Sequence, residues 1–261
     1  MMRVKSFGLF LMIFGFAYAS VFAQKAEPYT VGETLTYEAK YSKAILRGIP
    51  AADLTFVVSR SANASDFLIK SEAKSKGTLV ELFYKFNLNI QSTVDGTNFS
   101  IKRTVKRDEQ GDRLRDSEAL FDYQERKVIY IETDPTDAAR APRQVASPIV
   151  ADTQDLISGI YAIRNLPLAV GKNFELSISD SGLVYKIPVR VTARVQQKTI
   201  LGRVWCYRVE PEVFGANRLI ENKGNMILWI TDDARRLPVR SQINASIGRV
   251  EVKLKKIENI K

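Results

Sequence analysis

The stretch LVYKIPVRVTARV, residues 183–195, decides the fold class of this chain. Its odd-numbered positions are all apolar, whereas most of the even-numbered positions are polar or charged. A period of two is typical of a β-strand with one buried and one solvated face. At a rise of about 3.3 Å per residue the stretch reaches about 43 Å, which is longer than most strands of globular proteins. Its length predicts a large, curved sheet.

The same alternation recurs along most of the chain. Turn sequences such as Asp95-Gly96 and Ser181-Gly182 separate the alternating runs, and connections this short favour antiparallel hairpins. About a dozen strands are expected, so we predict a mainly β fold with one large, curved antiparallel sheet that is half-open and barrel-like. The further runs with this pattern are 34–41, 54–58, 67–69, 84–90, 99–101, 128–130, 205–209, 226–230, 237–243 and 250–254.

One segment has helical periodicity instead. Residues 152–165 (DTQDLISGIYAIRN) predict an α-helix with Asp152 as its N-cap, Asp155 in the first turn and Arg164 in the last turn. Pro167 prevents continuation. We expect this principal helix to pack on the concave side of the sheet, and a second, short helix at 78–83. The apolar stripe consists of Leu156, Ile157, Ile160, Tyr161 and Ile163, with Gln154, Asp155 and Ser158 on the opposite face.

Residues 133–151 (TDPTDAARAPRQVASPIVA) have three prolines and no periodicity. Loops of this length without secondary structure are usually functional or mobile. Two interpretations are equally consistent with the pattern. The segment forms either a lid over a cavity or an ordinary surface excursion.

The N-terminal 23 residues are predicted to be a signal peptide. Arg3 and Lys5 precede the uncharged apolar stretch 7–22, which is shorter than the roughly 20 residues of a membrane span. Cleavage is expected after Ala19 or, preferably, after Ala23. The domain organisation is then a signal peptide at 1–23 and a single sheet domain at 24–261, without a transmembrane span in the mature chain and located in the periplasm or secreted.

The composition excludes most familiar active sites. The chain has no His and one Cys, so it has no Ser-His-Asp or Cys-His pair, no imidazole zinc site and no internal disulfide. Phosphate-binding and dinucleotide-binding glycine motifs are also missing from the sequence. The acidic pair Asp232-Asp233 is interpreted as a hairpin turn. We therefore predict a protein that is not an enzyme, with no catalytic residues, metal or cofactor.

The charge is the more informative signal, because the formal net charge is +10. Lys186, Arg190 and Arg194 lie on one face of the long predicted strand and form a candidate basic surface. Such a surface attracts anions, and outside the cell these are envelope polymers, lipid headgroups or an acidic protein partner, not nucleic acid. The alternative interpretation is a solvated face that keeps the sheet soluble.

Three stretches resemble the exported bacterial family DUF3108, a domain of unknown function. They are 29–37 (YTVGETLTY), 155–164 (DLISGIYAIR) and 224–239 (GNMILWITDDARRLPV), and the likeness spans nearly all of residues 28–257. The resemblance implies an exported protein with a curved antiparallel sheet similar to that of lipoprotein carriers and capsule-assembly proteins. It implies no catalytic residues, and similarity of fold does not supply a function.

Two functional hypotheses follow. The first is an exported envelope protein that binds or carries a lipid-like or acylated ligand in an apolar groove of the sheet, beneath the 133–151 segment, with Tyr161, Trp205 and Trp229 as candidate lining residues. The second is a structural or assembly partner of an envelope complex that uses the basic surface or a sheet edge.

Overall fold

A computed structural model describes residues 29–77 and 85–260. The predicted signal peptide and the predicted short helix at 78–83 lie outside these residues. Fifteen strands and one helix are described. They are β1 (Thr34–Lys43), β2 (Leu46–Arg60), β3 (Phe67–Ser75), β4 (Phe86–Val94), β5 (Ile101–Gln110), β6 (Arg113–Asp122), β7 (Lys127–Thr133), β8 (Arg143–Pro148), β9 (Gln154–Asp155), α1 (Leu156–Asn165), β10 (Asn173–Asp180), β11 (Leu183–Thr199), β12 (Gly202–Pro211), β13 (Gly224–Thr231), β14 (Pro238–Ala245) and β15 (Gly248–Glu258).

All fifteen strands belong to one open, curved sheet. Their order is β8-β7-β6-β5-β4-β3-β2-β1-β15-β14-β13-β12-β11-β10-β9, so the pairing of β1 with β15 joins two consecutive meanders. The ends of the sheet come close together at Gly182, where an added Cβ would lie 2.7 Å from the Cβ atoms of Tyr130 and Val145. The predicted half-open, mainly antiparallel architecture is confirmed, with more strands than the dozen expected.

The long strand is confirmed and extends beyond the predicted bounds. β11 has 17 residues, and it pairs with β10 along its first half and with β12 along its second half. The expected turn sequences, including Asp95-Gly96 and Ser181-Gly182, connect consecutive strands.

The 133–151 segment is not a single loop, and that part of the prediction is wrong. Residues Arg143–Pro148 form β8, which pairs with β7 and lies at one end of the sheet. Its side chains are exposed or half-buried on both faces, so the strand has no apolar alternation to reveal it. A two-residue strand, β9, follows at the other end of the sheet and pairs in parallel with β10.

The principal helix exists but begins later than predicted. Its N-cap is Asp155, whose carboxylate accepts hydrogen bonds from the backbone N–H groups of Ile157 and Ser158, and not Asp152, which is exposed. Asp155, Ser158 and Gln154 are buried. The periodicity of the sequence had predicted all three on the solvent-exposed face of the helix. Hydroxyl donors from the sheet explain the difference, because Thr104 donates to Asp155 at 2.6 Å and Ser92 also donates to it.

The helix fills only part of the space that the sheet encloses. Ile157 and Tyr161 pack in a core cluster with β2–β8, and Ile163 packs in a second cluster with β10–β13. Contact with both halves of the sheet places the helix on its concave side, as predicted. A third cluster, around Leu35 and Leu254, joins β1 and β15 to β12–β14. Ten helical residues are about 15 Å long, which is too short to fill such a wide sheet.

Candidate functional site

The unfilled space is an apolar cavity of about 180 Å³ between α1 and five consecutive strands of the sheet. It lies where the two meanders join, because β2, β1, β15, β14 and β13 form its wall. Aliphatic and aromatic side chains make up most of its lining. The residues of this cavity are Leu35, Tyr37, Leu54, Phe56, Ile160, Tyr161, Arg164, Met226, Leu228, Pro238, Arg240, Ser241, Ile243 and Val252.

Strand register explains why these side chains meet. Directly opposed residues of an antiparallel pair point to the same face of a sheet, and the cavity lining consists largely of such pairs. Tyr37 is opposite Leu54 and Met226 is opposite Ile243. The alternation along each strand therefore produces one continuous apolar surface. The further pairs are Leu35 with Phe56, Leu228 with Ser241 and Ser241 with Val252.

The cavity has a buried floor and a partly exposed mouth. Leu35, Leu228 and Tyr161 are buried, Tyr161 with only 1% of its surface exposed. In contrast, Leu54, Ile160, Met226, Ile243 and Val252 are half-buried although all five are apolar. Half-exposed apolar side chains around an unfilled space give a hydrophobic group a route from solvent to the floor.

The floor contains one buried ion pair. The Arg164 guanidinium donates to both carboxylate oxygens of Glu33, at 2.5 and 2.8 Å, and Nη2 also donates to the carbonyl of Arg235 at 3.0 Å. The two side chains are 0% and 1% exposed. Burial by itself would lower the pKa of Arg164, but the hydrogen bonds and charge of Glu33 outweigh burial and raise it. Arg164 therefore stays protonated, and its charge is directed at the Glu33 carboxylate and not at the cavity.

Two tyrosines complete the floor. Burial raises the pKa of Tyr37 and raises that of Tyr161 well above the ordinary value, so both phenols stay neutral. The Arg164 guanidinium carbon lies 5.0 Å from the ring centroid of Tyr161, within the range of a cation–π contact. The buried Tyr161 hydroxyl makes no hydrogen bond within residues 29–77 and 85–260.

The structure brings one of the three predicted lining residues to the cavity, namely Tyr161. Trp205 is 45% exposed and stacks with Arg194, whose guanidinium carbon is 4.3 Å from the ring centroid. Trp229 is buried in the third core cluster, beneath the guanidinium of Arg240. The 133–151 segment does not line the cavity, so the predicted position of the groove beneath that segment is wrong.

The predicted basic surface is exposed, but its charges are neutralised locally. Each of the three cations on β11 has a carboxylate partner. The distances are 3.3 Å for Lys186 to Glu175, 3.0 Å for Arg190 to Glu212 and 2.6 Å for Arg194 to Asp232.

The acidic pair lies in the turn between β13 and β14, as predicted. Asp233 accepts hydrogen bonds from the Thr231 hydroxyl at 2.8 Å and from the Arg235 guanidinium at 2.6 Å. Asp232 binds Arg194 and lies 3.8 Å from Arg236. Although burial opposes ionisation, these partners lower the pKa of both carboxyls. Ionised, fully engaged carboxylates stabilise the turn.

The pairing of Glu33 with Arg164 was not predicted from the sequence. Arg164 follows Tyr161 by three residues, which places it on the same helix face, and this spacing was the one available signal. Glu33, Arg164 and Arg235 come from the three stretches that carry the family resemblance. These stretches therefore meet at the floor of the cavity.

Within 29–77 and 85–260, no group of three or more acidic, Cys or His side chains could hold a metal ion. No helix of these ranges is both long and apolar enough to cross a bilayer.

The sequence matches one family model. The model described as "Protein of unknown function (DUF3108)" covers residues 36–255. Among curated proteins, no sequence matches the chain.

Three solved structures are similar to this fold. The first is a β-barrel-like protein of the domain of unknown function DUF1849 from Brucella abortus, with a TM-score of 0.60 and 10% identity over 87% of this chain and 97% of that one. The second, a proposed exported protein with a YmcC-like fold from Bacteroides fragilis, has a TM-score of 0.37 and 11% identity over 89% and 98%. The third, a proposed lipoprotein from Parabacteroides distasonis, has a TM-score of 0.32 and 10% identity over 88% and 96%. At these identities the likeness concerns the fold alone.

Proposed function

This chain belongs to the DUF3108 family, and from that premise we propose that it is an exported, non-enzymatic protein that binds an acyl chain or a similar slim hydrocarbon group. The observation that carries the proposal is the apolar cavity beneath α1, with its buried floor and half-buried mouth. Hydrophobic lining with few polar groups is typical of sites for apolar ligands.

The size of the cavity limits the ligand. An engineered apolar cavity of about 150 Å³ stays dry and binds benzene, and the present cavity of about 180 Å³ is slightly larger. A linear hydrocarbon segment of a few methylenes fits this volume, and each methylene removed from water contributes about 0.8 kcal/mol. The ligand would therefore insert part of an acyl chain and leave its headgroup at the mouth.

The electrostatics of the floor favour hydrocarbon over a charged group. Because Glu33 neutralises Arg164 and Glu251 neutralises Arg240, no uncompensated cation of the lining attracts a carboxylate into the cavity. Burying an unpaired anion there would carry a large desolvation cost. The group that enters would thus be the uncharged end of the ligand.

Export is part of the proposal. It is supported by the charged start and apolar stretch of residues 1–23. The protein would act in the periplasm or be secreted. N-terminal sequencing of the protein from an envelope fraction tests this, with Ser20 or Gln24 as the expected first residue.

We base the proposed absence of catalysis on the ion pairs that the carboxylates form. Asp232 and Asp233 are occupied by arginine partners, and Glu33 is occupied by Arg164. General acid or base catalysis is most efficient when the pKa of the group lies near the working pH, and the lowered pKa values of Asp232 and Asp233 move them away from it. The alternative role, an assembly partner that uses the β11 cations, has weaker support because those cations are paired.

Binding of n-alkanols of increasing length, measured by calorimetry, tests the acyl-chain proposal. We expect affinity to rise by about 0.8 kcal/mol per methylene until the cavity is filled, with a negative heat-capacity change. Ile243→Trp, at the mouth, should abolish this rise, and Leu120→Trp, at an exposed position on β6, should leave it unchanged. No alkanol binding, or equal loss in both variants, would refute the proposal.

A further inference from the structure

Two neighbouring hairpin tips expose the two most solvent-accessible large apolar side chains of the described residues. Ile45, in the β1–β2 tip, is 93% exposed, and Ile247, in the β14–β15 tip, is 68% exposed. Leu46 adds a third apolar side chain that is 47% exposed. Exposed aliphatic side chains at adjacent tips indicate an interaction surface more strongly than scattered ones do.

Strand pairing and a side-chain hydrogen bond join the two tips. Their strands β1 and β15 are paired, with Ser42 opposite Arg249. The Tyr41 hydroxyl donates a hydrogen bond to the backbone carbonyl of Ile247. Gly248, at φ +140°, lies so close to the Tyr41 ring that an added Cβ would be 2.6 Å from Cε2. The tips therefore present their apolar side chains together.

Cations without ion pairs flank these apolar side chains. Lys43, Arg47 and Arg249 make no salt bridge within the described ranges, whereas Lys253 and Lys255, further along β15, are each paired with a glutamate. The sequence explains the difference, since neither 39–52 nor 234–250 contains an Asp or Glu. We name Lys43, Ile45, Arg47, Ile247 and Arg249 the twin-hairpin rim.

We propose that the twin-hairpin rim docks on the surface of an anionic phospholipid bilayer. A membrane-surface element combines apolar side chains that enter the headgroup–acyl boundary with cations that contact anionic headgroups. The rim provides both on two adjacent, exposed tips, with no carboxylate in either tip segment to repel the lipid. A protein partner fits less well, because the two tips expose only three large apolar side chains, those of Ile45, Leu46 and Ile247, whereas a specific protein interface involves about 20–30 residues a side.

The cavity mouth lies close to the strand ends that carry the twin-hairpin rim. Met226 and Ile243 line the mouth and are opposite each other, and Ile243 is only two residues from Ala245, where β14 ends. Two residues of strand span about 7 Å. Docking of the rim would therefore bring the cavity mouth close to the bilayer, although rim docking does not depend on the cavity having a ligand.

Vesicle sedimentation tests the proposal. The protein is the full-length chain with whatever N-terminus the expression host leaves after processing, and no ligand for the cavity is added. The probes are phosphatidylcholine vesicles with and without 30% phosphatidylglycerol. Because all variants keep the same N-terminus, differences between them isolate the rim. We expect Ile45→Ser/Ile247→Ser to weaken binding to the anionic vesicles by at least about tenfold. Lys43→Ser/Arg47→Ser/Arg249→Ser should remove the preference for anionic over neutral vesicles and the sensitivity to salt.

A matched control is a hairpin tip at the opposite ends of the strands, away from the twin-hairpin rim. The β11–β12 tip contains Ile200, which is 48% exposed, between Lys198 and Arg203, which form no salt bridge in the described ranges. Lys198→Ser/Ile200→Ser/Arg203→Ser should bind vesicles as the unsubstituted chain does. Circular dichroism should show unchanged strand content in every variant. Absence of binding to anionic vesicles, or an equal loss in the control, would overturn the proposal, and neither result would bear on alkanol binding in the cavity.

Discussion

Arg164 and Glu33 are 131 residues apart in the chain and form a bidentate ion pair in which both side chains are almost fully buried. The pair ties the helix to the beginning of β1, and the bond from Arg164 to the carbonyl of Arg235 adds the β13–β14 turn. A charge network therefore links the three segments that meet at the floor of the cavity.

Removal of one partner should be far more costly than removal of both. Glu33→Gln leaves the Arg164 cation buried without its counter-ion, and we expect the free energy of unfolding to fall by about 3–5 kcal/mol. The double variant Glu33→Gln/Arg164→Met removes both charges and should recover part of that loss. Urea unfolding of the two single variants and the double variant measures the coupling. Additive effects of the two substitutions would contradict the described geometry.

The position of the helix N-cap gives a second prediction. Asp155 accepts four hydrogen bonds, from two backbone N–H groups and from the hydroxyls of Ser92 and Thr104. Asp155→Ala should lower the free energy of unfolding by at least about 2 kcal/mol, because it removes a cap and leaves buried donors unsatisfied. Asp152→Ala is the control, and the exposed Asp152 side chain should have almost no effect in the same urea titration. If Asp152 proved the more costly position, the helix would begin where the sequence periodicity placed it.

The contrast between these two aspartates shows what the sequence can predict. Alternation identifies β11 and most other strands because hydrophobic burial on one face imposes a period of two. β8 was missed because neither of its faces is buried. The helix start was misplaced because the donors that select Asp155 come from β4 and β5, and such long-range partners leave no local signal.

The existence of an apolar cavity was predictable from the sequence, but its position was not. An apolar groove between a curved sheet and one helix follows from the pattern, and Tyr161, one of the proposed lining residues, lies in the wall of the cavity. Its position where β1 meets β15 depends on the order of the strands, which the sequence does not specify. Trp229 shows the same limit, since its apolar side chain packs in the third core cluster instead.

The Tyr161 hydroxyl gives a third prediction. It is buried and forms no hydrogen bond within the described ranges, so its removal releases an unsatisfied polar group. We expect Tyr161→Phe to leave the free energy of unfolding unchanged or to raise it by up to about 1 kcal/mol. Tyr130→Phe is the matched control, because the Tyr130 hydroxyl donates to Glu132 at 2.9 Å and its loss should destabilise the protein. A destabilised Tyr161→Phe variant would show that this hydroxyl has a partner in solution.

Cys206 makes the stability of this protein sensitive to alkaline pH. Burial, followed by the nearby charges of Asp233 and Asp232, raises the pKa of the Cys206 thiol from its ordinary value near 9 to about 12. Because the folded-state pKa is raised, the contribution to stability is complete below pH 9 and is lost as the pH rises towards 12. The loss is about 1.4 kcal/mol per pH unit within that window.

Cys206→Val retains an apolar side chain of similar size without an ionisable group. In urea unfolding of both proteins between pH 8 and 10.5, the curves of the free energy of unfolding against pH should therefore not be parallel: the unsubstituted chain should lose stability relative to Cys206→Val as the pH rises, because only the unsubstituted chain has the thiol. Parallel curves would indicate that the thiol ionises equally in the folded and unfolded states, which a fully buried position in the third core cluster does not permit.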